Sequence, residues 1–104
     1  MQKKKQTTSF QDLIQSEKPV LIDFYADWCG PCKSYALTIE NFKHEVGDQV
    51  RVVKINVDKN EQLSGQLQVR SIPTTMIFQK GELKWRAAGA QPIQVLKSKV
   101  EELI

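Results

Sequence analysis

Between Pro19 and Val57 the chain carries a pattern that few folds accommodate. An almost unbroken apolar run, Pro19 to Tyr25, is followed by a segment of helical period and then by β-branched residues from Val50 to Val57. A strand that is apolar at nearly every position is covered on both faces, as in a parallel sheet; a sheet wet on one side would alternate instead. Between the two runs, Tyr35, Ile39, Phe42 and Val46 recur at steps of four, three and four, which places them on one face of a long helix. Gly47 is positioned to stop that helix. Strand, helix, strand in this order reads as a right-handed parallel crossover.

The flanking segments extend the pattern. Thr8 and Gln11 have capping-box spacing, and Phe10, Leu13 and Ile14 follow at helical intervals, which predicts a short helix over 9–16. Asn60 is placed to cap a second short helix through Leu63 and Leu67. Thr74 to Gln79 and Glu82 to Ala88 read as strands joined at Lys80 and Gly81, a connection so short that they pair antiparallel. Pro92 suits the first turn of a last helix, whose Ile93, Leu96, Val100, Leu103 and Ile104 keep a 3.6 period. The sum is an α/β sandwich: a mixed central sheet of four or five strands with helices on both faces. The fifth strand is the uncertain one, because residues 1–8 form a polar segment that reads as a weak edge strand or a tail. Residues 9–104 read as one domain, the usual outcome for a chain of 104 residues.

Charge and hydropathy narrow the function. The net charge of +3 is matched by Lys3, Lys4 and Lys5, which have no interleaved aromatic residues to stack on bases, so a nucleic-acid partner is not expected. No stretch approaches the roughly 20 apolar residues that cross a bilayer, and no apolar segment follows the basic start. A cytoplasmic, monomeric protein without membrane attachment is the expectation.

The only two cysteines, Cys29 and Cys32, flank Gly30 and Pro31 at the junction of the first strand and the long helix. There the unpaired N–H groups and positive dipole end of the helix favour a thiolate at Cys29. Pro31 in the first turn loses no hydrogen bond, and Gly30 puts no side chain in the way of an approaching disulfide. Cys32 falls within reach of Cys29, and the expectation is an exposed, ionised Cys29 beside a more buried Cys32. Lowering a thiol from about 8.5 to about 7, within the range of such motifs, raises the thiolate fraction at pH 7 about sixteenfold, but the weaker base loses about fivefold in nucleophilicity. Proximity therefore matters more than acidity: Cys32 attacks a mixed disulfide on Cys29 within the same molecule.

Other uses of two cysteines fit less well. A structural zinc site needs about four ligands, and His44 is the chain's one histidine. Haem attachment needs His after the second cysteine, where Lys33 stands. A structural disulfide closing so small a loop would contribute about 2 kcal/mol, and inert buried cysteines do not explain Gly and Pro between them. No cofactor or metal is expected.

Asp23 interrupts the first apolar strand, and a carboxylate buried there costs several kcal/mol unless partnered or protonated. Lys54 interrupts the next strand in the same way, so the two are expected to interact from one face of a parallel pair.

Trp28-Cys29-Gly30-Pro31-Cys32-Lys33, led by Asp23-Phe24-Tyr25-Ala26, resembles the active-site signature of the thioredoxin family. The likeness runs from about Phe10 to the end and takes in Asp58, Ile72-Pro73-Thr74, Gly81 and Gly89. It implies the thioredoxin fold and a protein disulfide reductase with Cys29 as nucleophile and Cys32 as resolving thiol. It also implies that Asp23, with Lys54 as partner, moves protons to and from Cys32, with Gly30, Pro31 and Trp28 in support. Its partners would be disulfide-containing proteins and a thioredoxin reductase or equivalent dithiol donor. Nothing in the residues marks Ile72–Pro73 as cis, a state of about 5 to 6 per cent of X-Pro bonds, but the resemblance implies cis, with Pro73 facing the cysteines. Trp28, Ile72, Pro73, Ala88, Gly89 and Ala90 correspond to the family's apolar docking patch, where Ile72 offers its main chain to substrate. For Trp28 a place in the core is the competing reading. Leu37 stands where the family commonly has a helix-kinking proline, which predicts a straighter helix and one exposed apolar side chain. Ser71 replaces a frequent glycine, and Trp85 lies in the last strand.

Two rival functions share this pattern: a binding module with incidental cysteines, and an oxidant or isomerase of different potential. Gly-Pro between the cysteines favours a reductant by analogy.

Overall fold

The computed structural model describes residues 9–104; the strand or tail expected over 2–7, and Thr8, lie outside them. Four strands, β1 (Val20–Tyr25), β2 (Arg51–Asn56), β3 (Thr74–Gln79) and β4 (Glu82–Ala88), form a sheet in the order β2-β1-β3-β4. Among the described residues four α-helices, α1 (Phe10–Leu13), α2 (Gly30–Val46), α3 (Glu61–Gln66) and α4 (Ile93–Glu101), precede, connect or follow the strands, with 3₁₀ turns at Gly47–Gln49 and Val57–Lys59. β1 pairs with β2 in parallel and with β3 antiparallel, which explains its continuous apolar run: it is central and covered on both faces.

The two faces are sorted by residue parity along β1. Leu21 packs with Tyr35, Ile39 and Phe42 of α2 and with Leu96 and Val100 of α4. Val20, Ile22 and Phe24 pack on the other face with Ile14, Met76 and Phe78, joined by Phe10 and Leu13 of α1 and by Leu67 and Val69 beyond α3. Alternate side chains of a strand point to opposite faces, so Asp23 shares the α2 face with Leu21.

Several boundaries differ from expectation. Ser9 caps α1, its hydroxyl accepting from the Asp12 N–H at 3.1 Å, and the helix is one turn long, because the chain turns at Ile14 towards the strand. β2 ends at Asn56, whose side chain accepts from the Asp58 and Lys59 N–H groups and tips Val57–Lys59 into a 3₁₀ turn. Asn60 stands at the N-cap of α3 but makes no side-chain cap; its amide donates to Asn56 O at 2.9 Å. Pro92 is the N-cap of α4 and precedes the first turn.

The β3–β4 hairpin turns at Lys80 and Gly81, both in the left-handed region at φ 54° and 85°. At Gly81 a Cβ would also come within 2.9 Å of the Gln15 side-chain amide. Gly81→Ala is therefore expected to cost about 1 kcal/mol in urea denaturation, chiefly from the backbone, since the Gln15 side chain can swing away.

Candidate active site

The turn from β1 into α2 carries the two cysteines. Cys29 is the N-cap of α2, and its sulfur accepts a hydrogen bond from the Cys32 N–H at 3.1 Å. Gly30 and Pro31 occupy the first two helical positions and Cys32 the third, so the first-turn placement expected of Pro31 holds. Cys29 and Cys32 form a disulfide with Cα atoms 5.3 Å apart. A Cβ on Gly30 would meet nothing within 4 Å, so this glycine answers no need of the protein's own packing.

The expected contrast in exposure is absent. Cys29 and Cys32 are each 4 % exposed and pack in one cluster with Ala26, Tyr25, Val57 and Ile72. The physical reason is packing from distant parts of the chain: Val57 and Ile72 join Tyr25 and Ala26 over both cysteines. Around them Trp28, Gly30, Pro31 and Lys33 are exposed. The two cysteines differ instead in backbone environment, since Cys29 alone sits outside the helix with its sulfur on an N–H of the first turn.

Trp28 is 69 % exposed, which removes it from the core, and its indole N–H donates to Asp58 Oδ2 at 2.7 Å. The sequence shows no role for Asp58, because nothing local links positions 30 residues apart. Ile72 is half-buried, with its carbonyl oxygen 3.9 Å from Cys29 Sγ, and Ile72–Pro73 is cis. Pro73 itself is buried and adds little surface to the expected patch; it directly precedes β3, which lies inside the sheet between β1 and β4. Its carbonyl accepts from the Gly89 N–H at 2.8 Å, which ties the two loops of the patch together. Ala88 and Ala90 are exposed, and Gly89 is half-buried at φ 87°.

Asp23 is 1 % exposed, and neither carboxylate oxygen has a hydrogen-bond partner. Burial pushes its pKa from 3.8 up to about 6, with the Lys54 charge pulling the other way. Asp23 and Lys54 are register partners on neighbouring strands, as expected, but they form no ion pair within 4 Å. Lys54 Nζ lies over the Tyr25 ring at 4.8 Å from its centroid, because there the ammonium keeps its water while a descent to Asp23 would strip it. Thr75, opposite Asp23 on β3, bonds the buried Tyr35 hydroxyl at 2.7 Å and leaves the carboxylate unpartnered. A cavity of about 140 Å³ lies between Cys32, Tyr25 and Lys54. Among the described residues no three His, Cys, Asp or Glu gather where one metal ion could sit.

Residues 1–102 match the thioredoxin family model. The chain belongs to the thioredoxin family. It is 45 % identical over 97 residues to thioredoxin 1 of Chlorobaculum tepidum, covering 92 % of this chain and 96 % of that one. It is 40 % identical over 96 residues to a thioredoxin of Alicyclobacillus acidocaldarius, covering 92 % and 91 %. Its fold is similar to the oxidised mitochondrial thioredoxin 3 of Saccharomyces cerevisiae, at a TM-score of 0.80 and 30 % identity over 89 % of this chain and 86 % of the other. The mixed sheet with helices on both faces is thus the thioredoxin fold. As a thioredoxin, the protein is a thiol-disulfide oxidoreductase whose redox-active pair is Cys29 and Cys32. Thioredoxins act on disulfide substrates and are reduced by thioredoxin reductase. No helix among the described residues is long and apolar enough to cross a membrane.

Proposed function

We propose that Cys29 attacks the substrate disulfide, that Cys32 resolves the mixed disulfide, and that Asp23 takes and returns the Cys32 proton. The Cys29 thiolate bonds one substrate sulfur, and the other leaves as a thiolate and takes up a proton. Cys32, its proton passed to the Asp23 carboxylate, then attacks Cys29 Sγ. The second substrate sulfur leaves as a thiolate and is protonated in turn, so the substrate gains the two electrons that the dithiol loses in closing the Cys29–Cys32 disulfide. The observation that carries this order is the Cys32 N–H pointing at Cys29 Sγ from the first turn of α2, which stabilises charge on that sulfur and not on its partner. For Asp23, a pKa near 6 is suited to exchange a proton near neutral pH, and Tyr25, two residues on, packs against the cysteines.

Substrate is read as an extended segment lying on Trp28, Ile72, Ala88, Gly89 and Ala90, beside Pro73. In support, the Ile72 N–H and C=O enter no backbone hydrogen bond among the described residues, which leaves them for a β-type contact beside Cys29. The protein would work as a monomer of one domain in the cytoplasm, recharged by a thioredoxin reductase or equivalent dithiol donor, since a reductant must be kept in its dithiol form.

The order of attack is tested with single serine variants of both cysteines and an oxidised protein substrate such as insulin. Cys32→Ser is expected to accumulate a stable mixed disulfide through Cys29, and Cys29→Ser to accumulate none and to lose reduction. An adduct on Cys32 in the Cys29→Ser protein would reverse the assignment.

A further inference from the structure

α3 ends on an uncommon turn. The Gln68 N–H donates to Gly65 O at 3.0 Å and the Val69 N–H to Ser64 O at 2.9 Å, the paired bonds of a Schellman ending. Such endings place one residue in the left-handed region, usually glycine, whereas here it is Gln68 at φ 56°. The turn is braced from β4: Arg86 Nη1 donates to Leu67 O at 2.8 Å and Nη2 to Gln68 O at 3.1 Å. These are carbonyls at and just beyond the helix C-terminus, where partial negative charge collects, and the planar guanidinium fork spans both.

The braced turn sets the path of the segment that follows. Val69, Arg70, Ser71 and Ile72 line a cleft of about 160 Å³ with Trp28 and Val57, and Ile72 brings its carbonyl beside Cys29. At its far end this segment is pinned by the Gly89 N–H on Pro73 O. Gly89 follows β4 directly, so one strand holds both ends: Arg86 at the start of the segment and Gly89 at its finish.

We propose that Arg86 is a positioning residue for substrate binding: by fastening the left-handed turn at Gln68 to β4, it holds the Ile72 main chain where a substrate segment pairs beside Cys29. This rests on the reading of the Ile72 segment as the docking site. Arg86 is exposed and touches neither sulfur nor any reacting group, so it acts on binding rather than on sulfur exchange.

The test is the KM and kcat of insulin reduction for the wild type, Arg86→Ala, Arg86→Lys, Trp28→Ala, and Arg86→Ala combined with Gln68→Gly. Arg86→Ala is expected to raise KM about tenfold with kcat changed less than twofold, the scale of losing charge-assisted hydrogen bonds. Arg86→Lys is expected to fall between, because an ammonium does not span both carbonyls as the fork does. Gln68→Gly is expected to restore most of the loss in Arg86→Ala, since glycine holds the left-handed turn unaided. An unchanged KM in Arg86→Ala overturns the proposal, and so does a fall in kcat at constant KM. If Trp28→Ala raises KM and Arg86→Ala does not, the positioning role fails while the docking surface stands; if neither raises KM, the docking reading fails as well.

Discussion

Asp23→Asn is expected to gain on the wild type by about 2 to 3 kcal/mol in unfolding free energy between pH 4 and pH 8, with most of the change between pH 4 and 6. The carboxyl titrates at about 6 in the folded protein and near 3.8 when unfolded, and each unit corresponds to about 1.36 kcal/mol. Well below the unfolded value of 3.8 both states are protonated and the group contributes its full share of stability. As pH rises through 6 the unfolded carboxyl has already ionised in water, while the folded one must ionise at 1 % exposure with no hydrogen-bond partner. The wild type therefore loses stability across this window, and above it the deficit is constant. Asparagine has no proton to lose and should show none of this dependence. Urea denaturation of both oxidised proteins at pH 4, 6 and 8 measures it. Parallel curves at all three pH values would show that Asp23 titrates as an ordinary carboxyl and would remove the basis for its proton role. The destabilised carboxylate is consistent with a group kept for chemistry, because an apolar residue would suit its packing better.

Phe42→Ala is expected to cost about 3 to 5 kcal/mol, while Leu37→Ala on the same helix should stay within about 0.5 kcal/mol. Phe42 is fully buried in the cluster that joins α2 to α4 and the sheet, so its removal leaves a cavity as well as lost burial. Leu37 is 71 % exposed, and alanine is at least as good a helix former. Against a total stability of about 5 to 15 kcal/mol for a domain of this size, the first change approaches the margin for folding and the second is silent. Urea midpoints with unchanged slopes would confirm the contrast; a loss at Leu37 comparable with that at Phe42 would mean that α2 buries a different face. The expected exposure of Leu37 holds, and α2 runs unbroken from Gly30 to Val46.

Periodicity made most of this architecture readable. The run Val20 to Tyr25, the spacing Tyr35-Ile39-Phe42 and the short connection at Lys80-Gly81 each encode a local preference that tertiary packing reinforces. The cysteine pair was equally legible, since a Cys-Gly-Pro-Cys start to a helix has few other physical uses. What could not be read were contacts between distant positions: the Trp28–Asp58 bond, the Arg86 brace on Leu67 and Gln68, and the choice of Lys54 for the Tyr25 ring over the Asp23 carboxylate. The equal burial of Cys29 and Cys32 belongs with them, because the cluster that covers both, with Ala26, Tyr25, Val57 and Ile72, is assembled only by folding.

The order of strands and helices, the buried acid and the redox pair are properties of residue type and spacing, which act over a turn or a strand and need no partner to be recognised. Which oxygen accepts the Trp28 indole hydrogen bond, how far Lys54 stands from Asp23 and what holds the Ile72 segment beside Cys29 depend on side chains brought together by folding. Hydrogen bonds and charges act over a few ångströms, and only the assembled chain sets distances on that scale.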